Sequence, residues 1–342
     1  MLLTFPAIVE LRRVLPEAAV TYFVAPGIGS IVERCPAVDE VVEIGFPSPM
    51  AWECPPEWPT VLSSSAGAMR GRFDIGLVPR PSDPWSGALL QTAGIPMRVG
   101  FAHPQTAPHL THYVHEPGGH HTELTRSLIN AMLAALGIEP LPPLGRGDPA
   151  LRLRRRDHDE AAVALSGLPS EVGPSPIVVH PGTGWPVKNW PPAQWGKVAK
   201  AIGERMRATP LITGGPTEVT LAADVVRESG TCAVSVAGRL SLGGFAALLA
   251  RARLVLASDS GPLHLAAMLG TPVVGLYGPW PAEEAGPWSA AALQRTIDLR
   301  LPCSPCRRLD GPPCGAERSA PCVERIDPQV VIRAAKDLIG AG

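Results

Sequence analysis

Between residues 177 and 276 one pattern recurs: a short apolar run, a loop of glycine, proline or small polar residues, and then a helical stretch. The runs cover residues 177–179, 210–213, 233–236, 254–257 and 272–276, and helices are predicted at about 192–207, 218–228, 242–250 and 262–269. Each run is too short for a helix and reads as a strand, and 254–257 reads as a buried one. Strands that alternate with helices in this way close into a parallel, doubly wound α/β sheet. A last helix is predicted over 328–339. The first half shows a weaker version of the pattern. Leu3, Ala7, Ile8, Leu11 and Val14 share one helical stripe, strands are predicted at 19–24, 38–44 and 73–78, and a helix at 122–136 ends at Gly137, a natural C-terminal cap.

The stretch 140–151, with Pro142, Pro143, Gly145, Gly147 and Pro149, reads as a linker. At roughly 100–200 residues per domain, 342 residues make two domains: residues 1–150, residues 151–327, and a terminal helix in 328–342. A doubly wound domain normally opens on its central strand, whereas this chain opens in a helix. A strand and its loop are therefore expected upstream of Met1.

Composition narrows the function. Thirty basic and 31 acidic residues give a net charge of −1, which removes the electrostatic basis for general nucleic-acid binding. With 45% hydrophobic and 18% charged residues, the chain can build a substantial core. No apolar run reaches the roughly 20 residues of a membrane span, and no signal-peptide pattern follows Met1, so a cytoplasmic protein is expected.

Three loops at predicted strand ends carry the chemistry. Leu254–His264 runs from a buried strand through Asp259-Ser260-Gly261 into a helix with Pro262 at its start. The free N–H groups and positive dipole end of that helix suit a diphosphate, with Gly261 permitting close approach, Ser260 offering a hydroxyl and His264 a donor. The competing reading is a simple cap by Asp259 or Ser260. His180–Pro191 offers the Thr183 hydroxyl and the Lys188 ammonium, a phosphate-neutralising pair, or else a Pro/Trp-rich turn with a solvated lysine. Thr213–Glu218 places Glu218 to accept from ribose hydroxyls, or simply to favour a helix start. Three such loops on one sheet are far less readily explained as coincidence than any one alone.

The order His180-Pro181-Gly182-Thr183, Lys188-Asn189-Trp190-Pro191, Gly214-Gly215 with Glu218, and Ser258-Asp259-Ser260-Gly261-Pro262-Leu263-His264-Leu265-Ala266 resembles glycosyltransferase family 9. That family contains the ADP-heptose:lipopolysaccharide heptosyltransferases. The resemblance extends to Leu2–Ala7 and the 73–80 segment. It implies a GT-B fold, with two Rossmann-like domains facing a cleft and the C-terminal helix crossing back to the first. It also implies inverting transfer of a heptose or related sugar from an ADP-sugar to a lipopolysaccharide-core or other glycan or glycolipid acceptor. No cofactor is required, and the enzyme would act as a monomer, with peripheral contact at the inner membrane face. Carried over position by position, Thr183 and Lys188 would hold the diphosphate, Glu218 the ribose and Asp259 the transferred sugar. Ser260, Gly261 and His264 would face the phosphates, and Leu240 would lie near the adenine. Where family members carry Thr-Thr, this chain has Thr183-Gly184. The family's general base is an Asp in a Gly-rich loop ahead of the segment matching Met1–Thr4, so no catalytic residue is assigned within this chain. A chain complete as written would instead be a catalytically impaired nucleotide-sugar-binding protein.

Three features lie outside those motifs. Cys303, Cys306, Cys314 and Cys322 have a spacing within reach of a four-thiolate structural zinc site but not a standard zinc-finger pattern, and reduced structural thiols are the favoured reading. Cys35, Cys54 and Cys232 read as ordinary small core residues. His103, His109, His112, His115, His120 and His121 read as a solvated loop rather than a metal site. Arg80, just past the 73–78 strand, is placed to dock an acceptor phosphate or carboxylate, or is a plain surface residue.

Overall fold

The computed structural model describes residues 1–46, 58–148 and 150–340, so Cys54 and Pro149 lie outside the described residues. The chain divides into two compact units, one taking in Leu3–Gly145 and the other Arg146–Gly342.

In the first unit the elements run α1 (Phe5–Val14), β1 (Thr21–Val24), α2 (Gly29–Val32), β2 (Glu40–Glu43), α3 (Trp58–Met69), β3 (Ile75–Leu77), α4 (Pro84–Thr92), β4 (Met97–Phe101), β5 (His112–Val114) and α5 (His121–Ala135). Phe5, Ala7, Ile8 and Leu11 of α1 are buried, close to the stripe expected from the sequence. All strand pairs are parallel, but they form two small sheets, β1-β2 and β3-β4-β5. The strands β4 and β5 escape a sequence reading for different reasons. Gly100 interrupts β4, where a Cβ would come within 2.7 Å of Leu110, and no residue of β5 is fully buried.

The second unit runs α6 (Arg155–Ser166), β6 (Ile177–His180), α7 (Pro192–Met206), β7 (Leu211–Ile212), α8 (Val219–Glu228), β8 (Val234–Ser235), α9 (Leu242–Arg251), β9 (Leu254–Ser258), α10 (Gly261–Met268), β10 (Val273–Tyr277), α11 (Ala282–Ala285), β11 (Gln294–Asp298), α12 (Pro321–Glu324) and α13 (Pro328–Ile339). Six parallel strands take the order β11-β10-β9-β6-β7-β8. The strands β6, β9 and β10 are buried at every residue, which explains their unbroken apolar sequences. On the edge strand β11 only Ile297 is buried, so the sequence carries no strand signal there.

One core cluster joins the sheet to its helices. Trp190 and Trp195, both fully buried, meet edge to face with ring centroids 4.8 Å apart. The buried residues of α13, Val331, Ile332, Ala335 and Leu338, form the stripe that an amphipathic helix presents. They join the same cluster as Val198, Ala199 and Ile202 of α7. The strand order fixes where a ligand can enter. Successive strands run from β6 outward through β7 to β8, then from β9 outward through β10 to β11, so the direction of winding reverses between β6 and β9. The crevice at the carboxyl ends of strands flanking such a reversal is the usual binding place in doubly wound sheets.

Candidate active site

Two loops leave the sheet at that reversal, one after β6 and one after β9. The β9 loop is short. Ser258 ends the strand, Asp259 N–H donates to Leu276 O (2.9 Å), and Gly261 begins α10. Ser260 occupies the N-cap position but makes no side-chain cap; its hydroxyl donates instead to Ser258 O (2.9 Å). The simple-cap reading of this segment therefore fails for Ser260, and the leading amides of α10 keep their positive end uncapped by a side chain. A Cβ on Gly261 would meet no other heavy atom within 4 Å. Ser258 Oγ and His264 Nδ1 are buried with no hydrogen-bond partner among the described residues. Such orphans are expected where a polar ligand completes a site.

The β6 loop is shaped from within. Thr183 Oγ1 lies 2.6 Å from Trp185 O and 2.8 Å from Asn189 Oδ1, and it accepts from Trp185 N–H (3.2 Å). Buried Val187 and Trp190 pin the loop to the core. Its outer side is held by residues just ahead of α12, where Ser319 N–H donates to Pro186 O (3.0 Å) and Ala320 N–H to Val187 O (2.9 Å). The result points Lys188 across the reversal at the β9 loop. Lys188 Nζ donates to Asp259 Oδ2 at 2.7 Å and to Asp259 O at 3.2 Å, with side chains 13% and 8% exposed. His264 Nε2 approaches the other carboxylate oxygen, Oδ1, at 3.4 Å.

Burial pushes the Asp259 carboxyl up, but His264 and Lys188 together outweigh it and hold it below the ordinary range. Asp259 is thus an anion at neutral pH in spite of its depth. Fully buried Tyr277 stands close enough to feel that charge: burial first, then Asp259, raises its phenol well above 10. Its hydroxyl donates to Ala285 O (3.2 Å).

The third loop follows β7. Glu218 Oε2 accepts from Gly215 N–H at 2.7 Å and lies 3.7 Å from His180 Nε2. Leu240 packs, half-buried, on the cluster containing Val236, Ala247 and Leu248. Lys188, Asp259, Ser260, Gly261 and His264 therefore form one group. Thr183 is spent largely on its own loop, and Glu218 and Leu240 belong to the neighbouring strand ends. Arg80 is an exposed residue of the first unit. The sequence reading missed His180, which is buried against Glu218, and Tyr277, which feels the charge of Asp259. Only the position of His180 as the last residue of an apolar strand hinted at a role.

The alternative zinc site is not assembled. Cys303 and Cys314 are exposed, Cys306 is half-buried and Cys322 buried, and all four are free. No group of three or more metal-capable side chains converges among the described residues, in this segment or around the histidines of the first unit. Burial raises the Cys322 thiol, with lesser contributions from Cys306 and Cys314. Cys35 is buried as expected, while Cys232 is only partly so.

Residues 67–311 match the family model described as glycosyltransferase family 9 (heptosyltransferase). The chain belongs to glycosyltransferase family 9. Among curated relatives in the family, lipopolysaccharide heptosyltransferase 1 of Pseudomonas aeruginosa is 34% identical over 189 residues. That match takes in 55% of this chain and about half, 48%, of the relative's length. Lipopolysaccharide heptosyltransferase 3 of Escherichia coli is 25% identical over 306 residues, 86% of this chain and 84% of that one. Among solved structures, the glycosyltransferase family 9 protein of Veillonella parvula superposes with a TM-score of 0.76 at 22% identity, covering 100% of this chain and 94% of the other. ADP-heptose lipopolysaccharide heptosyltransferase II of E. coli gives a TM-score of 0.73 at 21% identity, covering 100% and 95%. The fold shared with these family 9 members is GT-B.

Proposed function

We propose that this family 9 member transfers a heptose or closely related sugar, with inversion, from an ADP-sugar to a lipopolysaccharide-core or other glycan acceptor at the inner membrane face. One observation carries the reading: a lysine from one loop and an aspartate 71 residues away meet at the winding reversal, beside a helix start with no side-chain cap. In this reading the α10 amides and Lys188 receive the diphosphate, and their positive charge stabilises it as it departs. Lys188 then divides its ammonium between Asp259 and phosphate. His264, whose Nε2 faces Asp259, turns its unpartnered Nδ1 to the same ligand. Thr183 holds the Lys188 loop in shape and can swing its hydroxyl from Trp185 O to a phosphate oxygen. Asp259 contacts the transferred sugar, Glu218 the ribose and Leu240 one face of the adenine. Arg80 receives an anionic group of the acceptor.

Because the leaving charge is met by Lys188 and backbone dipoles, transfer needs no metal. The names of the relatives supply the donor class: heptosyltransferase II is an ADP-heptose enzyme by name. The test is a thermal-shift and calorimetry panel of ADP, ADP-sugars, UDP and GDP. Stabilisation by ADP and ADP-sugars alone is the expected result, and equal stabilisation by UDP would overturn the donor assignment.

A further inference from the structure

We infer that His180 and Gly182, neither of them an expected ligand contact, are positioning residues that hold the Glu218 carboxylate in the orientation that reads the donor's ribose. The inference rests on the ribose role proposed for Glu218. His180 is the last residue of β6, and its side chain is 6% exposed. The ring lies against Phe245 with centroids 5.7 Å apart. Its two nitrogens face different partners, Nδ1 at 3.1 Å from Thr213 Oγ1 and Nε2 at 3.7 Å from Glu218 Oε2.

At 3.7 Å Nε2 faces Oε2 from just beyond hydrogen-bond length, and because a carboxylate offers only acceptor oxygens the pair favours the tautomer with the proton on Nε2. In a neutral ring Nδ1 is then an acceptor, a need the Thr213 hydroxyl meets by donating to it. The other acceptor near that hydroxyl, Val179 O, is farther away at 3.4 Å. Burial pushes the His180 pKa down to about 4 against the opposing pull of Glu218, so the ring is neutral at pH 7 and a single tautomer satisfies both sides.

The same carboxylate is fixed on its other flanks. Oε2 also accepts from Gly215 N–H at 2.7 Å. Oε1 lies over Gly182, where a Cβ would fall 1.8 Å from Oε1 and 2.4 Å from Glu218 Cδ. No alanine fits there without displacing the Glu218 head group. Oε2 thus takes the Gly215 hydrogen bond and faces the His180 ring, and Oε1, with no protein hydrogen bond among the described residues, is left for a ligand hydroxyl. The loop after β6 and the loop after β7 are thereby coupled: the first carries Lys188 for the diphosphate, and its opening residues aim the acid that the second carries for the ribose.

The test uses the full-length protein and two probes, ADP and 2′,3′-dideoxy-ADP, compared by calorimetry. A hydrogen bond to a charged group implies that the parent prefers ADP by about tenfold or more. Glu218→Ala abolishes that preference, as the ribose role requires. If positioning is correct, His180→Leu and Gly182→Ala bring the preference close to one, while affinity for the dideoxy probe stays within about twofold. His180→Gln, whose amide can donate from nearly the same place as Nε2, restores most of it. Adding Gly182→Ala to Glu218→Ala costs nothing further. A parent or a Glu218→Ala protein that refutes the ribose role overturns the inference with it. If Glu218→Ala abolishes the preference but His180→Leu and Gly182→Ala keep it in full, the inference fails and the ribose role stands. Should His180→Leu not fold, Gly182→Ala and the glutamine variant decide alone.

Discussion

In the second unit the four interior strands are buried at every position and sit in one six-stranded sheet. In the first unit β2 and β5 have no fully buried residue, β1 has one, and five strands are divided between two sheets. Both units use parallel strands and helices, so the difference is one of burial depth rather than of plan. A strand buried on both faces holds its carboxyl end rigidly, and a loop leaving that end inherits the rigidity. Lys188, Asp259 and Glu218 follow β6, β9 and β7 in this way, whereas Arg80 follows a three-residue strand with one buried position. The well-buried unit accordingly carries the donor groups that the proposed function needs.

The largest effect that could break this contrast belongs to the buried pair. Lys188→Ala takes the ammonium from Asp259, whose side chain is 8% exposed, and leaves it only the longer approach of His264 Nε2 at 3.4 Å. A loss of about 3 kcal/mol or more in stability is expected from denaturant unfolding, with ADP affinity falling about a hundredfold in calorimetry. Unchanged values would mean that the pair is not the anchor of the site. Next comes the sheet itself. Leu256→Ala, at a fully buried β9 position, should destabilise by about 3 kcal/mol. Val42→Ala in half-exposed β2 should destabilise by under about 1 kcal/mol. Equal losses in urea unfolding would erase the difference between the units.

A pH titration sharpens it. His180 is held down to about 4 from an ordinary 6.5, so between those values the unfolded chain takes up a proton that the folded chain does not. Stability should therefore fall as pH drops through that window, by an order-of-magnitude 3 kcal/mol, and be flat above it. The His180→Leu protein should lose that part of the slope. If the slope persists unchanged in the variant, it arises from other groups. The smallest effect concerns metal: EDTA should shift neither the melting temperature nor the ADP affinity, and a drop of several degrees on chelation would restore a metal to the cysteine segment.

Much of this is legible in the amino-acid sequence. Apolar runs at 177–179 and 254–257 marked strands, and the Gly/Pro loops after them marked the strand ends. The edge strand β11 and the small strand β5 were silent because strands lying half in solvent need no distinctive apolar sequence. The site was legible to the level of its loops and no further. Sequence spacing suggested Thr183 as a phosphate ligand, but not that its hydroxyl also shapes its own loop through Trp185 and Asn189. It suggested four clustered cysteines as a metal site, but sequence proximity does not make thiols converge, and two of these are exposed.

By itself, the sequence determined the alternation of strands and helices, the loops that bear the chemistry and, through their order, the family. Those properties follow from local chemistry: burial periodicity, backbone preferences of glycine and proline, and side-chain type. Only the tertiary structure decided which groups meet. The pairing of Lys188 with Asp259, and of His180 with Glu218, depends on β9 and β7 lying on either side of β6. That adjacency is set by the packing of the whole sheet, which no stretch of a dozen residues encodes.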